Sequence, residues 1–172
     1  MPFQSTVNIG LAAGVIGEKS VDGPSRVVKR RINSGGANPN VIGFAFTAII
    51  TAGVVGVASV GGAITNGTSI FAGLLVNPKA YSSAGGSTGP LSPTMTLPDQ
   101  SEGEFALMGQ FWVALTTAAN AGDQVIYNTT TGALAAVAPG AAAGAGNAYV
   151  PNCFVDDLPT SAAGIVSVRL TN

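Results

Sequence analysis

The side chains of this sequence with the clearest chemical potential are three carboxylates that lie close together, Asp99, Glu102 and Glu104. A pair of carboxylates can hydrolyse a glycosidic bond, one acting as the acid and the other as the base or nucleophile. Glu102 and Glu104, however, are two residues apart in a predicted strand, so both face the same side, next to a proline-rich loop. This pattern is more typical of a solvated strand edge whose charges prevent pairing with other chains.

Two further groups are weaker candidates. Calcium binding at Asp156 and Asp157 would need more regularly spaced oxygen ligands than the surrounding sequence supplies. Cys153 is the one cysteine, and no nearby positive charge stabilises its thiolate, so we expect a small buried apolar residue. The chain has no histidine, which excludes a Ser-His-Asp triad, a Cys-His dyad and histidine-ligated zinc. The sequence therefore predicts no catalytic residue, no metal and no cofactor.

The composition favours a structural protein. The 172 residues include 7 Lys plus Arg and 8 Asp plus Glu, so 9% are charged, where roughly 25% is usual. Hydrophobic residues make up 47%, which is the opposite of a disordered composition. A net charge of −1 gives no general attraction to nucleic acid, and we expect no nucleic-acid partner.

The few charges are unevenly distributed. Residues 1–40 contain a basic cluster, Arg26, Lys29, Arg30 and Arg31, whereas the rest of the chain is acidic and residues 33–77 carry no charge. A basic leader ahead of an acidic body predicts an arm that lies on another surface, and the alternative is a solvated loop. Four cations without interleaved aromatic residues make a short patch rather than a nucleic-acid groove.

The predicted elements are strands. Glycine and proline recur through residues 1–40 too often for a helix, so this segment is predicted to be an extended arm. Residues 41–172 are predicted to form a β-sandwich or barrel, because short strand patterns alternate with turn signals. The predicted strands lie at residues 44–49 and 54–59 (buried and joined by a tight connection), 71–76, 102–107, 110–116, 123–128, 133–138, 152–155 and 165–170. Trp112 is expected in the core, and residues 129–132 form the clearest hairpin turn.

Residues 41–64 are uncharged and long enough to cross a bilayer, so a membrane span is an alternative for this stretch. Repeated glycines and two-residue alternation favour strands there, and neither end carries an aromatic belt or a basic flank. The N-terminus lacks the pattern of a secretory signal. We therefore expect synthesis in a cytoplasm and no membrane partner.

The sequence resembles the capsid cement, or head decoration, proteins of tailed bacteriophages. The resemblance is spread over nearly the whole chain and lies in residues 3–8, 17–18, 22–24, 40–47, 71–79, 91–98, 122–134 and 162–166. It implies an all-β, jelly-roll-like domain on the outside of the virion, with no enzymatic activity and no cofactor. It also implies symmetric oligomers that hold neighbouring capsid proteins together. The cluster of Lys29 to Arg31 matches no signature of that family.

The leading hypothesis is a structural virion protein that binds the outside of the capsid shell and cements neighbouring subunits of the major capsid protein, as a homodimer rather than a homotrimer. The alternative is a virion-surface module that binds a receptor or a carbohydrate, and a β-sandwich hydrolase is a third possibility. The residues expected to contact the capsid or a second subunit are Phe3, Arg26, Lys29, Arg30, Arg31, Phe44 and Phe46.

Overall fold

The computed structural model describes residues 14–36, 38–77, 96–157 and 159–171. Within these ranges the chain forms strands and no helix, which confirms the all-β prediction. The strands are β1 (Arg26–Arg31), β2 (Asn40–Val41), β3 (Ala45–Thr51), β4 (Val54–Val60), β5 (Ser69–Val76), β6 (Thr96–Leu97), β7 (Glu102–Leu115), β8 (Gln124–Asn128), β9 (Leu134–Val137), β10 (Asn147–Asp157) and β11 (Gly164–Leu170).

The long strand β7 organises the fold. Its first half pairs with β1 and β5, and its second half pairs with β11 along seven residue pairs, Leu115↔Gly164 to Gly109↔Leu170. The prediction of two strands separated at Met108 and Gly109 is therefore wrong. Gly109 has a φ of 124°, so glycine allows the chain to bend there without leaving the sheet.

One closed ring of strands forms around the second half of β7. The order is β7, β11, β10, β8 and β9, and the ring closes where Leu134 of β9 pairs in parallel with Leu115 of β7. The predicted hairpin around residues 129–132 is confirmed, because β8 and β9 pair antiparallel. The ring encloses the larger of two apolar cores, which includes Phe111, Val113, Val125, Val150 and Val168.

A second ring forms around the first half of β7. It runs through β7, β5, β3 and β4 and returns to the end of β1, where Ile32 bridges Ala58 and the Asn33 amide donates to the Ala58 carbonyl at 2.8 Å. Strands β2 and β6 pair with each other and supply Leu97 to the core of this ring. Within that core the rings of Phe46 and Phe105 lie 5.2 Å apart.

The two cores share a wall. Where the rings meet, neighbouring residues of β3, β5 and β7 point to opposite sides of the sheet, one into each core. The pairs are Ala45 with Phe46, Leu74 with Leu75, and Ala106 with Phe105. The predicted sandwich or barrel is thus two small closed rings of strands built on common strands.

The predicted arm, residues 1–40, differs from the structure in its described part. Arg26–Arg31 pairs with Glu102–Met108 of β7, and Ile32 is fully buried in the second core. These residues pair with a strand far along the sequence, so no local pattern could show the pairing. The folded body therefore begins no later than β1, and a truncation through residue 31 would remove one strand of a ring. Residues 1–13 lie outside the described residues.

The β3–β4 hairpin has the expected tight connection. Ala52 and Gly53 both have positive φ, 51° and 77°, as a type I′ turn requires. The expectation that these strands are buried holds only for the half next to the core. Every residue from Thr51 to Val57 is exposed, because β5 pairs with β3 only as far as Ile49.

Candidate functional site

The basic cluster lies on β1, and β7 supplies carboxylates to half of it. The register places Lys29 opposite Glu104 and Arg31 opposite Glu102. The Lys29 ammonium lies 3.6 Å from the Glu104 carboxylate. Opposite charges facing each other across antiparallel strands stabilise the pair modestly, by about 0.2–1 kcal/mol. Glu102 and Glu104 therefore offset part of the positive charge of β1. They do not lie on an unpaired sheet edge, as the sequence had suggested, because β1 pairs with this part of β7.

The other two cations of β1 have no carboxylate opposite them. Arg26 pairs with Met108 and Arg30 with Gly103. Arg26 is exposed, whereas Arg30 is half-buried and its Nε is buried without a hydrogen-bond partner in the described part of the chain. We call these residues, Arg26–Arg31, the β1 surface. Alternate residues of the strand point to opposite sides of the sheet, so Lys29 and Arg31 lie on one side and Arg30 lies on the side of Val28 and the buried Ile32. Four cations against two facing carboxylates give the strand an excess of positive charge.

Asp99, the third carboxylate of the acidic group, has a structural role in a loop. Its oxygens accept hydrogen bonds from the amides of Ser34 and Gly36 and from the side chain of Asn40, each at 2.9 Å. These bonds, that from Ser34 foremost, hold the pKa of Asp99 below its usual value. Asp99 and Glu104, two of the carboxylates considered for glycoside hydrolysis, are thus engaged in separate contacts.

The remaining candidates from the sequence are placed as follows. Cys153 is fully buried, as expected, and burial raises the pKa of its thiol. Trp112, expected in the core, is only half-buried, and Gly14 packs against its indole ring.

Asp156 receives a hydrogen bond from Gln110 and lies 3.6 Å from the Arg169 guanidinium. No group of three or more His, Cys, Asp or Glu side chains within the described ranges could hold a metal ion.

The sequence left a membrane span as an alternative for residues 41–64. Among the residues that the structure describes, no helix is long and apolar enough to cross a membrane.

The predicted aromatic contacts need one correction. Phe46 is fully buried against Phe105, so its side chain cannot reach a partner. Phe44 is half-buried and packs against the same core. Phe3 lies outside the described residues.

A group of exposed apolar side chains lies on the β3–β4 hairpin. Ile49 is 54% exposed, Val54 67%, Val55 36% and Val57 37%. The sequence showed that this stretch is uncharged and strand-forming, but alternation alone cannot tell a covered strand face from an uncovered one. We call residues 49–57 the hairpin tip.

The comparison with protein families decides the identity. A family model described as structural cement protein (E217 gp24/Pam3 gp6) matches residues 3–171. The chain belongs to this family of phage cement proteins. A cement protein holds a capsid together, so the protein has a structural, capsid-binding role, as the sequence resemblance implied.

The fold agrees with that assignment. A chain of the solved capsid of Myoviridae phage XM1 aligns with 100% of this chain and 99% of its own length, with a TM-score of 0.61 and 17% sequence identity. At that identity the likeness concerns the fold. No curated protein matches the sequence.

Proposed function

We propose that the protein, made in the host cytoplasm, binds the outer surface of the phage capsid as a homodimer and cements neighbouring subunits of the major capsid protein. The observation that carries this proposal is the β1 surface, which keeps two uncompensated arginines on an otherwise charge-poor protein. Such a surface fits carboxylates and carbonyl oxygens on the shell. A cement protein needs only modest affinity per contact, because icosahedral symmetry repeats each contact many times.

Arg30 gives the strongest local support. A buried guanidinium N–H without an acceptor destabilises the free protein, since it has lost its hydration and gained no hydrogen bond. Because Nε itself is closed to solvent, an acceptor on the capsid would bind the part of the half-buried Arg30 side chain that remains accessible. Arginine suits the task because its planar donors can bind a carboxylate at two points.

The arm remains part of the proposal for residues 1–13, which include Phe3. An arm that is extended, as the sequence predicts, can add a strand to a neighbouring sheet through backbone hydrogen bonds, and part of the binding energy is then lost in ordering it. Lys29 and Arg31 contribute less on this account, because Glu104 and Glu102 already face them.

Reconstitution of capsids that lack the protein tests this function. We expect added protein to bind at saturable sites and to raise the temperature at which the particles release DNA. Bovine serum albumin at the same concentration is the control. Protein that binds but leaves particle stability unchanged would contradict the cementing role, and failure to bind would contradict the proposal as a whole.

Arg30→Met separates binding from folding. Methionine retains the length of the apolar stem and removes the unsatisfied N–H, so we expect the free energy of unfolding of the free protein to stay level or rise by up to about 1 kcal/mol. Urea denaturation gives this value, and capsid affinity measured on the same sample should fall. A stability loss above about 1 kcal/mol would instead show that Arg30 is satisfied in the free protein.

The alternative of a receptor- or carbohydrate-binding module gains no support. A glycan site needs exposed aromatic rings, but Tyr127 is fully buried and donates its hydroxyl to the Gly62 carbonyl at 2.8 Å, and Trp112 is half-buried. Tyr149 is 36% exposed, but a single ring whose hydroxyl is bonded to the Ala141 carbonyl does not make such a site. Burial raises the pKa of Tyr127 to about 12.

A further inference from the structure

The hairpin tip extends beyond the sheet that carries it. The Ile50 amide donates to the Thr68 carbonyl at 2.7 Å, and beyond this bond no backbone pairing between described residues joins β3 to the β5 side. On β4, the edge that faces away from β3 is first bridged at Ala58, by Ile32. Within the described residues, Val54–Val57 therefore has an edge without a neighbouring strand.

This free edge carries neither charge nor proline, and the one irregularity there is a shift of the β3–β4 register between Ala48 and Ile50. Natural edge strands carry charges, prolines or bulges that prevent pairing with other chains. Residues 41–64 contain no charged residue and no proline. Val54, Val55 and Val57 are β-branched and exposed, which favours strand addition at this edge. The hairpin tip therefore has the composition of a buried strand and the exposure of a contact surface.

We propose that the hairpin tip pairs with the hairpin tip of a second copy, with the two β4 strands antiparallel about a two-fold axis. This inference rests on the proposed function, of which the homodimer is a part, and assigns the surface through which the dimer forms.

Charge favours a second copy over the shell as the occupant. At a two-fold axis each residue lies near its own counterpart, so any charge on the strand would meet a like charge. Residues 33–77 carry none, and the hairpin tip can therefore meet itself without repulsion. The β1 surface, with its excess of cations, would repel its own copy and is suited to an unlike partner. The two surfaces thus divide the contacts between the dimer and the shell.

The surface area that two hairpin tips can bury against each other determines how strong the pairing is. Four exposed side chains supply much less than the roughly 800 Å² that each partner buries in a stable complex. The dimer is therefore weak in free solution. On the capsid the shell holds neighbouring copies close together, and this high effective concentration strengthens the pairing.

Single introduced cysteines test the pairing, because Cys153 is fully buried and cannot form an intermolecular disulfide in the folded protein. Cysteine is placed at Val54, Val55, Gly56 or Val57, one at a time, and at Ala142 as an exposed loop control. Disulfide formation under mild oxidation is followed on non-reducing gels, both at the highest soluble concentration and on reconstituted capsids.

We expect dimers at least tenfold faster at one of the four positions than at Ala142→Cys, with lower rates at its neighbours. In an antiparallel two-fold pair only the residue nearest the axis faces its own copy at disulfide distance. Adding Ile49→Lys to the fastest variant places like charges near the axis and should return the rate to that of the control. Equal rates at all five positions, in solution and on capsids, would overturn the inference.

Capsid affinity of the Ile49→Lys variant separates this inference from the proposed function. Cross-linking at the hairpin tip without any capsid binding would support the pairing and refute the proposed function. Absence of cross-linking together with loss of capsid binding by Ile49→Lys would show that the hairpin tip contacts the shell, which overturns the pairing and leaves the proposed function intact.

Discussion

Replacing Gly73 by alanine is expected to lower the free energy of unfolding by about 3–5 kcal/mol, a large part of the 5–15 kcal/mol typical of a folded domain. Gly73 lies on β5 where the two cores share a wall, with a φ of 130° that side chains rarely adopt. An added Cβ would lie 2.7 Å from the Ala106 carbonyl oxygen and 2.8 Å from the Cβ of Phe105. Neither atom is at the end of a flexible side chain, so β5 and β7 would have to separate.

Gly67→Ala is the matched control for this prediction. Gly67 also has a positive φ, 77°, but an added Cβ would meet nothing within 4 Å. Only the backbone preference changes there, at a cost of about 1 kcal/mol. Urea denaturation of both variants gives the comparison. Equal losses of stability would mean that the close approach of β5 and β7 at the shared wall is wrong.

Removing the uncompensated charges of the β1 surface is expected to weaken capsid binding about 10- to 100-fold at low salt. The variant is Arg26→Glu with Arg30→Gln, which changes the net charge by three units. A charge contact at 4 Å in water is worth about 1 kcal/mol, and a tenfold change in affinity corresponds to about 1.4 kcal/mol. Because Arg26 is exposed, the difference from the unchanged protein should shrink as salt is added.

The same strand offers a control in which charged side chains are also replaced but the net charge does not change. Lys29→Gln with Glu104→Gln removes the compensated ion pair and leaves the net charge unchanged. We expect its capsid affinity to stay within about threefold of the original, since an exposed pair contributes about 0–1 kcal/mol. Binding is measured by co-sedimentation with capsids after both proteins are shown to be folded. Equal loss in the two variants would contradict the role assigned to Arg26 and Arg30.

Local sequence patterns predicted the strands well and their partners poorly. The β8–β9 hairpin and the buried Cys153 follow from turn chemistry and polarity over a few residues, which a sequence displays directly. The pairing of Arg26–Arg31 with β7 joins segments far apart in the chain, and no local pattern specifies it. Met108 and Gly109 were expected to separate two strands because glycine is common both at turns and at bends within a strand.

The contact residues could be predicted only in part, because pairing and burial again depend on strand register, which no local pattern shows. Charge is visible in the sequence, so the β1 cations were found, but which of them face carboxylates depends on register with Glu102 and Glu104. Burial depends on where each strand extends beyond its neighbour. Phe46 and Val54 belong to similar strand patterns, yet the first is fully buried and the second is 67% exposed.

Imaging of reconstituted capsids by electron cryo-microscopy tests the central claim most directly. The account predicts density for the protein on the outer surface, with the β1 surface against the major capsid protein and Arg30 within hydrogen-bond distance of an oxygen atom on the shell. Density on the inner surface, or an outer position in which the β1 surface faces solvent, would contradict it.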